Sequence, residues 1–304
     1  MPKAAVRVPA SSANLGPGYD SFGLALGLYD LFTAEPADEW RVVVGGEGAD
    51  ELSEGADNQV ARAMARVFEL AGGPPAAHVI CENGVPTGRG LGSSSAAIVG
   101  GLVLGNALAG EPLERDELFR LAVELEGHPD NVAAALFGSL TLSWSDDGEP
   151  SCAVLQPTGG LAAVLAVSER GLSTVEARRM LPAQVPHADA AFNAGRAGLV
   201  VAGLLLGSAE LVSAGLRDRL HEPYRASAVP DLEDVRGALL EAGADGAVLS
   251  GAGPTVIGLV TAADDEAALA RAGDVADAAA ALTRGSSRRP PFAVGIDRSG
   301  AVLL

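Results

Sequence analysis

The sequence predicts an α+β protein built from two parts, and two observations support this. Short strand-like segments are followed in each half by longer helical segments, a pattern typical of helices layered on a sheet. A turn rich in Asp and Gly at 145–150 separates the halves, so we place the domains at 1–155 and 156–304. The chain of 304 residues suits one large domain or two ordinary ones. Because 48% of it is apolar but only 4% aromatic, the core must be Ala, Val and Leu.

The charge and the cysteine content exclude several classes of protein. A net charge of -18 argues against non-specific binding to nucleic acid or anionic membranes. Cys81 and Cys152 form neither a disulfide framework nor, with four scattered histidines, a zinc site. The N-terminus lacks an apolar signal-peptide core, and the apolar spans 96–109 and 199–206 are shorter than the roughly 20 residues that cross a bilayer. We therefore expect a cytoplasmic protein without nucleic-acid or membrane partners.

The first segment, 4–9, alternates as a strand does. Residues 11–26 are rich in turn formers but end in an apolar run, which predicts a shaped loop entering a buried strand. Asn14 and Asp20 are its candidate functional side chains. The alternative, left open by the residues alone, is that both bond their own backbone within the turn.

Three elements precede the most informative stretch. They are a second strand at 40–45, a helix at 59–70 that Asn58 caps, and a strand at 78–82.

Residues 86–97, P-T-G-R-G-L-G-S-S-S-A-A, join that strand to a helix ending near Leu108. Glycines in a strand–loop–helix unit let backbone N–H groups converge at the helix N-terminus, where the helix dipole favours an anion such as phosphate. The alternative is a glycine-rich turn before a serine-capped helix. A Walker A loop is excluded because Ser93 stands where its lysine would be and Lys3 is the only lysine of the chain. Phosphate would be held by backbone dipoles, hydroxyls and Arg89.

Two features flank the helix that follows the loop. Its interior glycines, at 100, 101 and 105, each cost about 1 kcal/mol, which close packing against a sheet would explain. A further helix at 114–126 leads into E-G-H-P-D-N (126–131), which with Glu124 is the densest polar cluster of the chain. This cluster is either a solvated corner or, because the apolar segment 132–137 follows it, a corner pressed against a core.

The second half alternates strands and helices. After a strand at 138–144, we expect strands at 161–167, within 246–260, at 292–296 and at 301–304, and helices at 174–180, 187–206, 209–220, 231–241 and 266–281. Residues 288–291, Arg-Arg-Pro-Pro, read as an exposed linker.

Several stretches together resemble one superfamily, the galactokinase, homoserine kinase, mevalonate kinase and phosphomevalonate kinase (GHMP) group. Its phosphate loop, P-x-x-x-G-L-G-S-S-x-A, is matched at 86–96 with one extra serine allowed, and its second glycine motif by S-G-A-G-P-T at 250–255. The chain most resembles the homoserine kinase family, through P-A-S-S-A-N-L-G-P-G-Y-D (9–20), E-G-H-P-D-N-V-A (126–133), S-T-V-E-A-R (173–178) and E-P-Y-R (222–225). The resemblance implies a ribosomal protein S5 domain 2-like N-terminal domain and a ferredoxin-like C-terminal domain. It also implies phosphorylation of the L-homoserine side-chain hydroxyl by MgATP, a step toward threonine, and a possible homodimer.

The resemblance also assigns site residues. ATP would be held by Pro86, Gly88, Arg89, Gly90, Leu91, Gly92, Ser93, Ser94, Ser95, Ala96, Gly251 and Gly253. Mg²⁺ would be bound by Ser94 and a glutamate, for which we favour Glu126 over Glu124. The amino-acid substrate would be bound by Asn14, Asp20, His128, Asn131, Thr174, Arg178 and Arg225, of which Asn131, His128 and Arg178 are the candidate catalytic residues.

Elementary chemistry fits these roles. Asp20 suits an ammonium, and Arg178 and Arg225 suit a carboxylate through bidentate bonds. Mevalonate-kinase-like members use a lysine–aspartate pair near the acceptor hydroxyl, whereas here Asn131 takes the aspartate's place and the lysine is absent. We therefore expect no dedicated base, with Asn131 and His128 orienting the acceptor. His128 as general base is the alternative.

Three other functions fit the sequence less well. A sister kinase for another alcohol, such as mevalonate, is disfavoured by the missing lysine and by the two arginines. A non-catalytic sensor should have lost a residue of the loop or the metal site, and all are present. The single lysine excludes a P-loop ATPase.

Overall fold

The structure is a computed structural model, and it describes residues 3–157, 160–284 and 287–304. Within them the chain forms two sheets, the first of seven strands and the second of four. The first sheet contains β1 (Ala4–Ala13), β2 (Phe22–Ala37), β3 (Arg41–Gly46), β4 (Ala76–Asn83), β5 (Leu140–Asp146), β6 (Glu149–Leu155) and β11 (Val302–Leu303). The second contains β7 (Gly160–Ala166), β8 (Gly246–Leu249), β9 (Val256–Ala262) and β10 (Phe292–Gly295).

The helices are mixed with the strands along the chain. They are α1 (Gln59–Ala71), α2 (Ser93–Leu108), α3 (Arg115–Glu126), α4 (Asp130–Phe137), α5 (Thr174–Arg179), α6 (His187–Leu206), α7 (Ala209–Gly215), α8 (Glu222–Arg225), α9 (Leu232–Glu241) and α10 (Asp265–Leu282), with a 3₁₀ turn at Ala226–Ala228. Helices and sheets in each half confirm the predicted α+β class.

Strand β2 organises the first sheet. In the order β11–β1–β2–β4–β3, residues 23–34 of β2 pair with β1, in a register that places Val6 opposite Phe32. Its second half pairs with β4, and its first residues pair with β5, which continues to β6. The β3–β4 pair is parallel, and the other pairs of this sheet are antiparallel. This long strand therefore ties all parts of the first sheet together.

Helix α2 contains glycines that lower its helix propensity. They allow it to pack closely, because they have no side chains at the contact points. A Cβ on Gly100 would lie 2.3 Å from the ring of Phe32 on β2, and one on Gly101 would lie 2.4 Å from the Val60 carbonyl oxygen on α1. The expected close packing against a sheet is thus confirmed for Gly100, and α1 approaches the same helix from another side. The packing brings the N-terminus of α2 to a fixed place beside β1.

Strand β7 is buried on both faces, and each face contributes to a different core. Leu161 and Leu165 join a cluster that includes Leu24 and Leu26 of β2. Val164 joins a second cluster formed with α9 and α10. The order of this antiparallel sheet is β10–β7–β9–β8. One apolar core therefore spans both sheets.

Several predicted elements differ from the structure. Strand β2 continues to Ala37, so the strand expected at 40–45 is the third rather than the second, and β6 was not predicted. Helix α7 ends at Gly215 instead of 220. The two final strands are shorter than expected, and they belong to different sheets, since β10 pairs with β7 and β11 with β1. The pairing of β11 with β1 returns the chain to the first sheet. The domain boundary between residues 155 and 156 stays a prediction.

The prediction of an exposed linker at 288–291 is wrong. Arg288 is 8% exposed, and its guanidinium forms two bonds with Asp231, of 2.7 and 2.8 Å. It also donates to the carbonyl oxygens of Ala166 and Pro254. Arg289 pairs with Glu47 of the loop after β3. Two adjacent prolines indicate an irregular backbone, but these arginines find carboxylate partners that only the tertiary structure supplies.

Helix α6 is the one helix of the described residues with the length and apolar composition to cross a membrane. Only 22% of its apolar 18-residue stretch is buried, although Val200, Gly203 and Leu204 pack inward. A single such helix is weak evidence for a membrane span. We interpret α6 as a packing helix of the second half.

Candidate active site

The glycine loop adopts the conformation that its composition predicts. Gly88, Gly90 and Gly92 have φ of 65°, 74° and 71°, a region that favours glycine. Gly92 is the N-cap of α2, which begins at Ser93. The unpaired N–H groups and positive dipole end of this helix therefore face the cleft that the loop borders.

The second glycine motif lies directly against the first. Ser250 Oγ donates to the Gly90 carbonyl oxygen at 2.6 Å and lies 2.9 Å from Ser12 Oγ, from which it can accept a bond. A Cβ on Gly90 would lie 2.3 Å from the Ser250 carbonyl oxygen and 2.7 Å from that of Gly253. Glycine is required at 90 because two backbones meet there. The two motifs, which lie 160 residues apart, form one wall of the cleft.

Glu126 lies at the N-terminus of α2, where its carboxylate accepts bonds from Ser94 Oγ at 2.8 Å and Ser95 Oγ at 2.9 Å. Glu124 instead faces Arg66, 3.5 Å away, with 59% of its side chain exposed. A carboxylate and a hydroxyl are hard oxygen donors of the kind that Mg²⁺ prefers, with phosphate oxygens and waters as further ligands. Among the described residues, no three His, Cys, Asp or Glu side chains gather to hold a metal alone. The donor set thus fits Mg²⁺ bound together with a phosphate.

Charged groups of both signs line the opposite side of the cleft. Asp20 is paired with Arg178 of α5 through two bonds, of 2.7 and 3.0 Å. Arg178 Nη1 also donates to Tyr19 Oη at 2.9 Å. Burial by itself lowers the pKa of Arg178, but the bond to Asp20 and the charges of Asp20, Tyr19 and Asp130 together raise it above its ordinary value. Thr174, the first residue of α5, lines the same cleft. The pair is about one third exposed, so a ligand in the cleft can reach both partners.

Asn14 makes the local turn bond that the sequence left open as one alternative, and its role in binding a ligand stays a prediction. Its Oδ1 accepts the backbone N–H of Asp20 at 3.0 Å, which is the local bond of a turn. Its Nδ2 donates to the Gly251 carbonyl oxygen at 2.9 Å, which links the loop to the second glycine motif. Asn14 borders the cleft and fixes the backbone on which Asp20 stands.

The third wall of the cleft is the corner between α3 and α4. Asn131 Oδ1 accepts a bond from Ser11 Oγ at 2.9 Å. Burial raises the pKa of Asp130 to about 6, against the opposing charge of His128, whose Nδ1 lies 3.7 Å from Asp130 Oδ1. The solvated-corner reading is wrong, because Asp130 is 3% exposed and the side chain of His128 only 15%.

Some predicted residues lie outside the cleft. Arg89 turns away and donates to the carbonyl oxygens of Thr87 and Glu169, at 2.5 and 2.9 Å. Leu91 and Ala96 are fully buried beneath the loop, and Pro86 is buried at its start. They shape the loop rather than face a ligand. The predicted residues that do line the cleft are Asn14, Asp20, Gly88, Gly90, Gly92, Ser93, Ser94, Glu126, His128, Asn131, Thr174, Arg178, Arg225, Gly251 and Gly253.

Sequence reasoning missed three residues. Tyr19, between two arginines, is the neighbour of the predicted Asp20. Asp130 stands between two predicted residues and lines the cleft. His221 is one helical turn before Arg225, and that spacing was the signal that could have found it. The cleft that all these residues surround has about 700 Å³ of empty space, part of it open to solvent.

Comparison with known proteins defines the class first. The model of the GHMP kinases N terminal domain matches residues 58–139, and that of the GHMP kinases C terminal domain matches residues 200–278. Heptose 1-phosphate kinase from Bacteriodes thetaiotaomicron, 17% identical with a TM-score of 0.65, covers 99% of this chain and 98% of its own and shares the fold. The fold and the matched domains are those of an ATP-dependent GHMP kinase.

The relatives then identify the family. Homoserine kinase of Streptomyces coelicolor is 43% identical over 98% of this chain and 94% of its own. That of a Synechococcus strain is 47% identical over 84% of each. The crystal structure of homoserine kinase from Cytophaga hutchinsonii superimposes with a TM-score of 0.87 and 28% identity, covering 100% and 98% of the two chains. The chain belongs to the homoserine kinase family.

Proposed function

We propose that this kinase transfers the γ-phosphoryl group of ATP to the side-chain hydroxyl of L-homoserine. The observation that carries the proposal is one cleft with a glycine loop and helix N-terminus on one side and Asp20, Arg178 and Arg225 on the other. The first side suits phosphates, and the second suits the ammonium and carboxylate of an amino acid. Phosphoryl transfer needs chiefly alignment and charge neutralisation, which this arrangement supplies.

Substrate binding must exchange partners within the Asp20–Arg178 pair. The two side chains form an ion pair in which Arg178 Nη2 lies 2.7 Å from Asp20 Oδ1. The ammonium of L-homoserine would replace Arg178 beside Asp20, and its carboxylate would take up the freed guanidinium. A mevalonate-like substrate has a carboxylate but no cation, so it would leave Asp20 without a partner. This difference favours an amino-acid alcohol.

Mg²⁺ would be held by Ser94 and Glu126, and when bound it neutralises charge on the phosphate oxygens. The chain's own residues align the acceptor. Asn131 uses its Oδ1 for Ser11, which leaves its Nδ2 hydrogens to donate to the hydroxyl or a phosphate oxygen. A side-chain amide cannot remove a proton. We infer that the hydroxyl proton passes to phosphate or solvent as the new bond forms.

His128 is the alternative base, since its Nδ1 has no hydrogen-bond partner in the described part of the chain. The two mechanisms are separated by comparing kcat across pH for His128→Ala and Asn131→Ala. The base-free mechanism predicts that both variants keep the shape of the wild-type profile. Selective loss of one acidic limb in His128→Ala would refute it.

The activity itself is tested by ADP release from MgATP with L-homoserine, mevalonate, L-serine or shikimate. We expect release that depends on L-homoserine and falls at least 100-fold in kcat/KM for Arg178→Ala, because about 3 kcal/mol of charged bonding is lost. Arg179→Ala, the neighbouring arginine, is the matched control. Turnover of another alcohol would overturn the substrate site, and ATP binding without turnover would favour a sensor. A cytoplasmic location, the absence of nucleic-acid or membrane partners and a homodimer stay predictions.

A further inference from the structure

Arg225 is a buried cation that forms no ion pair with any carboxylate among the residues that the structure describes. It is 2% exposed, and its bonds go to neutral acceptors: His221 Nδ1 at 3.0 Å and the carbonyl oxygens of Gly251 at 3.3 Å and Ala177 at 3.5 Å. Burial lowers its pKa. A buried charge is costly unless it is paired. Because Arg225 lines the cleft, an anionic ligand bound there would supply the missing partner.

His221 determines where that guanidinium lies. The imidazole is fully buried, and Nε2 is 2.8 Å from the Gly16 carbonyl oxygen, which can only accept. Nε2 therefore carries the hydrogen, and Nδ1 is the bare acceptor for Arg225. The other groups that face the ring are Asp218, 3.8 Å from Nε2, and Tyr19, whose ring centroid is 5.4 Å away.

The backbone around His221 is fixed as firmly as its ring. Asp218 accepts the N–H groups of residues 220, 221 and 222 at 3.0, 2.8 and 2.8 Å and the amide of Asn193 at 2.7 Å. Tyr19 fills the space beside the ring, with Arg225 5.7 Å and Arg178 5.8 Å from its ring centroid. The imidazole therefore has little freedom to turn away from Arg225.

We propose that His221 is a positioning residue that directs Arg225 toward the substrate carboxylate without neutralising it. This inference rests on the proposed function. A carboxylate at 221 would orient the guanidinium equally well but would pair with it, and it would then compete with the carboxylate of the substrate. A neutral imidazole acceptor orients Arg225 and leaves its charge for the ligand.

The test uses two isosteric variants that differ only in charge. His221→Asn retains a neutral acceptor near Nδ1, whereas His221→Asp places a carboxylate there. Each is assayed with L-homoserine and with 3-amino-1-propanol, which is homoserine without its carboxylate. We expect KM for L-homoserine to rise about 10-fold more in His221→Asp than in His221→Asn, since a buried ion pair must be broken. The two variants should have equal kcat/KM for 3-amino-1-propanol and an unchanged KM for ATP.

The outcomes separate the two proposals. A wild-type protein that turns over no L-homoserine rejects the proposed function, and this inference with it. With an active wild type, equal L-homoserine KM values in the two variants reject the positioning role alone. An equal loss with both substrates indicates a merely structural role and also rejects it. If His221→Asp does not fold, His221→Phe must lower kcat/KM at least 5-fold for L-homoserine only, with His187→Phe as the exposed control.

Discussion

At the scale of single residues, Asp30 shows how burial sets the properties of a side chain near the glycine loop. Its carboxylate is 2% exposed and accepts the N–H groups of Gly84 and Val85, both at 2.9 Å. Burial nevertheless raises its pKa to about 7 from an ordinary value near 3.8. The residue therefore takes up a proton on folding over the pH range between these values.

The raised pKa of Asp30 makes the stability of the fold depend on pH. Between pH 4 and pH 7 the folded chain binds this proton and the unfolded chain does not, so stability decreases as pH rises through that window. We expect Asp30→Asn to remove this dependence, so that wild type loses up to about 3 kcal/mol more than the variant between pH 5 and pH 8. Urea unfolding at both pH values measures it. Asp38→Asn, at an exposed carboxylate, should behave as wild type, and parallel curves for wild type and Asp30→Asn would contradict the prediction.

Two glycines of the loop, separated by one residue, permit a direct comparison. Gly90→Ala adds a Cβ that meets two carbonyl oxygens at a left-handed φ of 74°, whereas Gly88→Ala, at 65°, meets nothing within 4 Å. We expect Gly88→Ala to cost about 1 kcal/mol from backbone strain alone. Gly90→Ala should cost over 3 kcal/mol, with loss of ATP binding as the two glycine motifs separate. Thermal unfolding and nucleotide titration check both, and equal effects would show that the contact is not tight.

At the scale of elements, the packing of α2 on α1 gives a similar contrast between helical glycines. Gly101→Ala would place its Cβ 2.4 Å from a carbonyl oxygen, while Gly237 of α9 has open space around its Cβ position. We expect Gly101→Ala to destabilise the fold by about 2 kcal/mol through overpacking. Gly237→Ala should stabilise it by about 0.5 to 1 kcal/mol through helix propensity. Denaturant unfolding midpoints measure both changes in stability. A Gly101→Ala variant as stable as wild type would mean that α1 and α2 can move apart at little cost.

The elements also show what sequence reasoning can reach. The glycine loop, the helix that it begins and the polar corner at 126–131 were predicted because their physics is local: left-handed glycines, capping and helix breakers. Glu126 as metal ligand and Arg178 as clamp came from the resemblance, and they stay proposals. Strand β6 and the buried Arg288 were not foreseen, because the partners of β6 and the carboxylate of Asp231 are supplied by the tertiary structure. The spacing of His221 to Arg225 could have indicated that the two side chains meet, but nothing in that segment reveals the carbonyl of Gly16 to which the imidazole also bonds.

At the scale of the whole molecule, the shared core joins the two sheets. Leu165 of β7 is fully buried in the cluster that contains Leu24 and Leu26 of β2. Unfolding of one sheet would expose the inner face of the other. Cooperativity should therefore extend across the chain, whatever the position of the domain boundary.

This expectation can be measured because both tryptophans, Trp40 and Trp144, belong to the first half of the chain. Leu165→Ala, in the second sheet, should destabilise the protein by about 2 to 5 kcal/mol. Tryptophan fluorescence and far-ultraviolet circular dichroism should shift together in urea. Leu269→Ala, at an exposed leucine of α10, is the control. A fluorescence transition that does not move with Leu165→Ala would show two independently folding units.

The pairing of β11 with β1 has a consequence for synthesis on the ribosome. Val6 lies opposite Leu303, and Arg115 of α3 bonds the Ala301 carbonyl oxygen. Strand β1 thus acquires its outer neighbour from β11, which is translated after all the other strands of the two sheets. During elongation this edge of the first sheet stays open, accessible to chaperones or to another nascent chain, until β11 has been synthesised and can pair with β1.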